Sequence, residues 1–391
     1  MQLDFHYYAT YCAAVIAGYT HEDSLDIAYC AQFTDCCSKT LLSRIGGPLS
    51  AATTQLQLEL MDAPTDPVGL QDITRIWASF HFLPGDLNAN IDKKCSRRFL
   101  RKYRLICNTN GELLRDTVNL AKGRDLQAAG LAMHILADTW AHRYFAGTPS
   151  LAINNTNYYF YEYVPDGDGF RERKINFNHN PTGKDDPEKG VYTNSLYQGE
   201  ENSIMNLGHG RAGHFPDYSY ARYKYLPAWE GYMEIFKDNP SDYYNAFCQM
   251  VYALSCLKSD SEFETDRYAF DEVKPWEDEI KGILEKHQTD ASSDWKALAE
   301  KLSGSEVEDF DAGKYQKEYM EAAEDDKDDV FLGRYIIAAL AQKSMVTNRI
   351  FRSGSRLAGD SVDYREKGFR GIKDFRMLTE DFERRRKDDQ I

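Results

Sequence analysis

In the stretch AMHILADTWAHRYFAG, residues 132–147, His134, Asp138 and His142 recur at intervals of four inside an Ala-rich, otherwise apolar run. Residues four apart on an α-helix differ by about 40° in azimuth, so the three side chains share one narrow stripe. An imidazole, a carboxylate and a second imidazole on one stripe can meet at a single metal, or at two metals sharing the carboxylate. A lone histidine on an apolar helix is more often a satisfied core residue. Three ionisable groups on one buried stripe are a different matter, because each desolvated polar group needs a partner or costs several kcal/mol.

The chain has nine histidines, and others fall in comparable surroundings. His6, in LDFHYY, shares one face of an extended segment with Asp4, and His81 lies in the apolar ASFHFLPGD. His209 and His214 occur in NLGHGRAGHFPD, whose glycines can bend the chain to bring both imidazoles, and Asp217 with them, to one point. His21, His179 and His287 sit in polar contexts and read as surface residues. Asp35, in IAYCAQFTDCC, is the one carboxylate on the apolar part of its helix. At a helix C-terminus it meets the unfavourable end of the macrodipole and calls for a compensating cation; a solvent-facing helix end is the plain alternative. Six histidines with Asp4, Asp35, Asp138 and Asp217 exceed one tetrahedral zinc and fit two or three zinc-like ions, or other divalent metals.

The elements that must position these residues read as helices. YYATYCAAVIAGY, HEDSLDIAYCAQFTDCC, NGELLRDTVNLAKG and DLQAAGLAMHILADTWAHRYF place apolar residues at three- and four-residue spacing. The expectation is an all-α, multi-helix bundle around a buried metal cluster. Residues 148–217, rich in Asn, Gly, Asp and aromatics, read as a long insertion with a hairpin where YYFYEYV and RERKINF flank PDGDGF. Helices resume with DYSYARYKYLPAWEGYMEIFKD and SDYYNAFCQMVYALSCLKS. A metal-binding domain over 1–258 is then followed by a peripheral acidic helical region, 259–351, and a polar tail, 352–391.

Composition excludes some roles. With 42% hydrophobic residues among 391, the chain can bury a sizeable core, and a net charge of -15 argues against long nucleic acid as the partner. The exception, KKCSRRFLRKYR at 93–104, reads as a cationic helix face. Eight cysteines without CxxC or regular spacing read as reduced core residues, and no apolar run reaches the roughly 18 residues of a membrane span, so a cytoplasmic protein is expected. GxSxG and P-loop motifs are absent, which leaves metal or basic side chains to grip a phosphate. Arg143, beside His142, and Arg211, between the late histidines, are candidates; they serve equally well as partners of carboxylates.

The order of these residues resembles the zinc-dependent phospholipase C and single-strand-specific nuclease superfamily, all-helical proteins with three clustered metals. Carried over, the resemblance implies that His6, with Asp4 beside it, serves an amino-terminal metal. Asp35, His81, His134 and a bridging Asp138 would serve another, and His142 with His209 or His214 the last. It departs at the amino terminus, where the superfamily uses the amine and carbonyl of a Trp and this sequence has Met1 and offers Asp4. It departs again at the late ligands, where His214 and Asp217 replace an H-x3-[DE] helix. The opening DFHYYATYCAA, with AQFTD and HFLPG, is also similar to an uncharacterised bacterial family of unknown function. The activity implied is hydrolysis of a small phosphoester or lipid headgroup, with Asp35, Asp138, Arg143 and Arg211 at the reaction centre. The alternative is a non-catalytic, metal-stabilised helical scaffold or interaction protein.

Overall fold

The computed structural model describes residues 1–361 apart from 64–65, 93, 168, 180–182 and 195–205. Lys93 of the basic run and residues 362–391 of the expected polar tail therefore lie outside the described residues. The helices that build the core are α1 (Thr10–Ile16), α2 (His21–Phe33), α3 (Pro67–Phe80), α4 (Glu112–Ala121), α5 (Leu126–Ala141), α6 (Asn239–Ser259), α7 (Ser292–Ser303) and α8 (Phe331–Arg352). Their starts follow local chemistry: Thr20 caps α2 by accepting from the Asp23 amide, and Asp66 with Pro67 opens α3.

The His-Asp-His helix, α5, is the centre of the packing. It touches α2, α3, α4, α6 and α8, and every residue from Ala129 to Ala141 is buried, as expected for a helix surrounded on all sides. Leu131, Ile135 and Leu136 each gain about 1.5–3 kcal/mol from that burial. The closest approach is to α2, where a Cβ on Gly130 would overlap the Ile27 carbonyl oxygen and stand 2.6 Å from the Cys30 Cβ. Only glycine lets these two backbones meet.

The expectation of an all-α fold is overturned by a four-stranded antiparallel sheet in the order β2-β1-β5-β6, beside a parallel pair β3-β4. Its strands are β1 (Thr156–Asp166), β2 (Gly169–Lys174), β3 (Asn176–Asn178), β4 (Val191–Thr193), β5 (Arg222–Pro227) and β6 (Ile235–Asp238). The hairpin across PDGDGF is present as β1 and β2, with Asp166 opposite Gly169. Strands β5 and β6 instead occupy the stretch read as a helix. In RYKYLP burial alternates strictly, Tyr223 and Tyr225 inward and Lys224 outward, a period of two that dense aromatic spacing masks. Pro227 and Gly231, the latter at φ +70°, exclude a continuous helix there.

The inner face of the sheet carries a second core of Phe145, Phe160, Phe215, Tyr223 and Tyr225, separate from the helical core. Other expectations also shift. The opening segment is not extended but a π-helical turn, Asp4–Ala9, buried on every side, with the Phe5 ring edge-on to Tyr243 and Trp295. The acidic segment after 259 is less peripheral than its charge suggests: α7 packs on this turn and buries Trp295 completely. All eight cysteines are free thiols, Cys95 alone exposed.

Gly130→Ala should lower the unfolding free energy by about 1–3 kcal/mol, because α2 and α5 must separate to admit a methyl group. Urea unfolding measures it, and an unchanged midpoint would contradict the close packing.

Candidate metal centre

Three helices end at one place. Asp35 follows the last turn of α2, His81 is the residue that closes α3, and His142 closes α5. The carbonyl ends of helices carry partial negative charge, so their convergence favours a cation. The π-helical turn adds His6, and α5 adds His134 and Asp138 from its interior. Two short 3-10 turns, Gly210–Ala212 and Phe215–Asp217, bring His209 and Asp217 from the sheet side. Gly213 between them has φ +60°, and a Cβ there would collide with the Thr193 carbonyl oxygen.

Around Asp138, His6 Nε2 lies 3.2 Å from Oδ1, while His81 Nδ1 and His134 Nε2 each lie 3.2 Å from Oδ2. Asp35 completes this group from the surface, its Oδ1 3.8 Å from His81 Nδ1 and 3.9 Å from His134 Nε2. Donors bound at about 2.0–2.2 Å around a tetrahedral ion stand about 3.3–3.6 Å apart, close to these separations. In the second group, His142 Nε2 is 3.1 Å and His209 Nε2 3.5 Å from Asp217 Oδ1. The Met1 amine joins the two groups, 3.1 Å from Asp138 Oδ1, 3.2 Å from Asp217 Oδ1 and 3.3 Å from His142 Nε2.

Which ring nitrogen carries the proton follows from partners that can only accept. His81 Nε2 donates to the Thr53 carbonyl at 3.0 Å, His142 Nδ1 to the His81 carbonyl at 2.7 Å, and His209 Nδ1 to the Gly213 carbonyl at 2.8 Å. The other nitrogen of each ring faces an aspartate oxygen. Lone pair against carboxylate is repulsive unless a cation lies between them, and main-chain carbonyls that orient ligand histidines are the usual support of a metal site. At His142 the Met1 ammonium already supplies such a charge; at His81 the neighbour is His134 Nε2, 3.2 Å from His81 Nδ1 and 3.2 Å from Asp138 Oδ2, and these three atoms close a triangle that a proton or a metal ion must hold together.

The electrostatics agree. Burial alone would raise the Asp138 and Asp217 carboxyls, yet the Met1 amine and neighbouring histidines hold both well below the usual carboxylate range. Burial opposes charge on the amine, but Asp138, Asp217 and Asp35 outweigh it and lift the amine to about 11. Burial, with His134 adding to it, pushes His6 down to about 4; burial and His142 do the same to His209. Both rings are neutral at pH 7, the form that binds metal. Neither nitrogen of His6 makes a hydrogen bond among the described residues, and coordination would relieve the one that binds the ion of a cost of about 1–3 kcal/mol. Imidazole nitrogen and carboxylate oxygen are the donor set of zinc and similar divalent ions, and the buried His/Asp groups can hold such an ion.

Of the residues expected from sequence, His6, Asp35, His81, His134, Asp138, His142, His209 and Asp217 come together. Asp4 does not. Its carboxylate accepts from the amides of Phe5 and Ala291, tying the π-helical turn to the start of α7. His214 stands outside the groups, 55% exposed, with Nδ1 3.2 Å from Asp217 Oδ2; that bond, aided by the aspartate's charge, raises its pKa. Arg143 is turned to Asp242 at 3.9 Å and stacks over Tyr144, and Arg211 is buried with Nη2 3.5 Å from the Thr156 carbonyl. Sequence reasoning missed the Met1 amine, which no motif marks, and Thr53, whose contribution is a carbonyl.

A model of DUF6765, described as a family of unknown function, matches residues 1–350. The chain belongs to this family. No curated protein and no solved structure matches it. The matched span of the DUF6765 chain runs from Met1 almost to the end of α8 and includes every donor of both groups.

Asp138→Asn removes the central charge of the first group, so zinc retained per chain after loading and gel filtration should fall by at least one ion relative to wild type. Asp4→Asn should retain the wild-type amount. Mass spectrometry of the two variants checks both, and metal loss in Asp4→Asn would return Asp4 to the ligand set.

Proposed function

We propose that this DUF6765 protein is a metal-dependent hydrolase that acts on phosphoesters with two or three zinc-like ions. The observation that carries the metal is the orientation of His81, His142 and His209, each donating from one ring nitrogen to a main-chain carbonyl and turning the other to Asp138 or Asp217. The reaction class is supported by the ligand order, which resembles the phospholipase C and single-strand nuclease superfamily, and by two adjacent donor groups whose aspartates, Asp138 and Asp217, bond the same Met1 amine. Paired divalent ions lower the pKa of water and neutralise charge on a phosphoester in the transition state.

The chain's own residues have distinct parts in this reading. Asp138 is the charge at the centre of the first group and is tied to the second through the Met1 amine it shares with Asp217. Asp35, with its side chain 31% exposed, is the donor at the surface and marks the side from which a substrate approaches. His214, bonded to Asp217 and exposed, orients that carboxylate from solvent. The net charge of -15 favours a small phosphoester or a lipid headgroup over long nucleic acid. No helix among the described residues is long and apolar enough to cross a membrane. A cytoplasmic setting is supported by the eight free thiols.

One observation favours a second reading, a metal-stabilised scaffold. His6, His134 and Asp138 are almost completely buried, and closed coordination is the mark of a structural ion, whereas a catalytic one keeps an open position.

Hydrolysis of bis(p-nitrophenyl) phosphate and p-nitrophenyl phosphorylcholine, before and after chelation and zinc reloading, separates the two. The hydrolase reading expects turnover lost with the metal and restored by it. Metal-dependent thermal stability without turnover on either ester would establish the scaffold instead.

A further inference from the structure

Helix α8 supplies no donor to either group, yet its buried polar residues hold the main chain around His81. Lys343, 7% exposed, donates to the carbonyls of Ser50 at 2.6 Å and Ala52 at 2.5 Å. The next residue, Thr53, is the one whose carbonyl accepts from His81 Nε2. Gln342, also buried, donates 3.2 Å to the Ser79 carbonyl in the last turn of α3, two residues before His81. Two turns earlier on α8, the Tyr335 hydroxyl reaches Thr34 Oγ1 at 3.1 Å and Thr53 Oγ1 at 3.4 Å. Thr53 in turn donates from Oγ1 to the Thr34 carbonyl at 2.7 Å, beside Asp35.

We propose that Lys343 is a positioning residue for the metal centre, fixing the Thr53 carbonyl and through it the tautomer and ring angle of His81. The inference rests on the reading of the cluster as a metal centre. Packing alone gives no reason for an ammonium here. Burial drags it down to about 7, with Asp72 opposing, whereas a methionine would fill a similar volume without that cost. What the lysine adds is two donors aimed at consecutive parts of one loop, which hold a carbonyl at hydrogen-bond distance from a ligand histidine. The Thr53 and Ser79 anchors then make His81 a residue gripped from both sides, with Tyr335 extending the grip to the Asp35 turn.

The test is titration of metal-free protein with Co2+, read by ligand-field absorption, which reports the donor set directly. Lys343→Met, with folding checked by circular dichroism, should bind Co2+ about ten-fold more weakly and with a shifted band, and Lys343→Arg should recover most of both. A folded Lys343→Met with wild-type affinity and band overturns the proposal. If that variant does not fold, Tyr335→Phe decides: a weaker, shifted Co2+ signal supports the grip through α8, and an unchanged one overturns it. Wild-type protein that takes up no Co2+ defeats the metal reading itself, a failure visible before any variant is compared.

Discussion

An ionised carboxylate at the centre of a protein must be neutralised within a few ångströms, and Asp138 sits on a helix buried from Ala129 to Ala141. Removing one partner from a buried charge typically costs 3–5 kcal/mol, so the surroundings of Asp138 are over-determined. Five nitrogen atoms, from Met1, His6, His81, His134 and His142, lie within 3.5 Å of its two oxygens. Their origins explain much of the architecture. The π-helical turn exists to deliver His6 into this shell, α3 ends where His81 can reach it, and the 3-10 turns bring Asp217 to share the Met1 amine.

The cluster also lies where two cores meet. Phe82 belongs to the aromatic core under the sheet and stacks on His142, 4.7 Å between ring centroids, while His134 is embedded in the helical core. A seam between cores is a place where polar groups can be collected without opening a hole in either. The main-chain carbonyls of Thr53, His81 and Gly213 serve it because helix ends and tight turns leave such groups without regular partners.

The part of the site that was legible in sequence is the part set by local periodicity. His134, Asp138 and His142 share a stripe because a helix forces them to, and Asp35 was flagged by its place at a helix C-terminus. The sheet was only half visible. The β1–β2 hairpin has turn chemistry at PDGDGF, whereas β5 and β6 are encoded by an alternation that their many tyrosines disguise. Asp4 was misread because an acid two residues from a histidine looks like a ligand in an extended strand. In the π-helical turn the two side chains diverge, and Asp4 satisfies backbone amides. The supporting carbonyls were invisible in principle, since every residue carries one and only the tertiary fold says which is used.

The central claim is that a cation, not a proton network alone, holds His81, His134 and Asp138 together. An anomalous difference map collected above and below the zinc absorption edge, from crystals grown with zinc, tests it most directly. The account predicts a peak about 2.0–2.2 Å from His81 Nδ1, His134 Nε2 and an Asp138 oxygen. Ordered side chains with no anomalous density between them, and His81 Nδ1 still about 3 Å from the carboxylate, would contradict it.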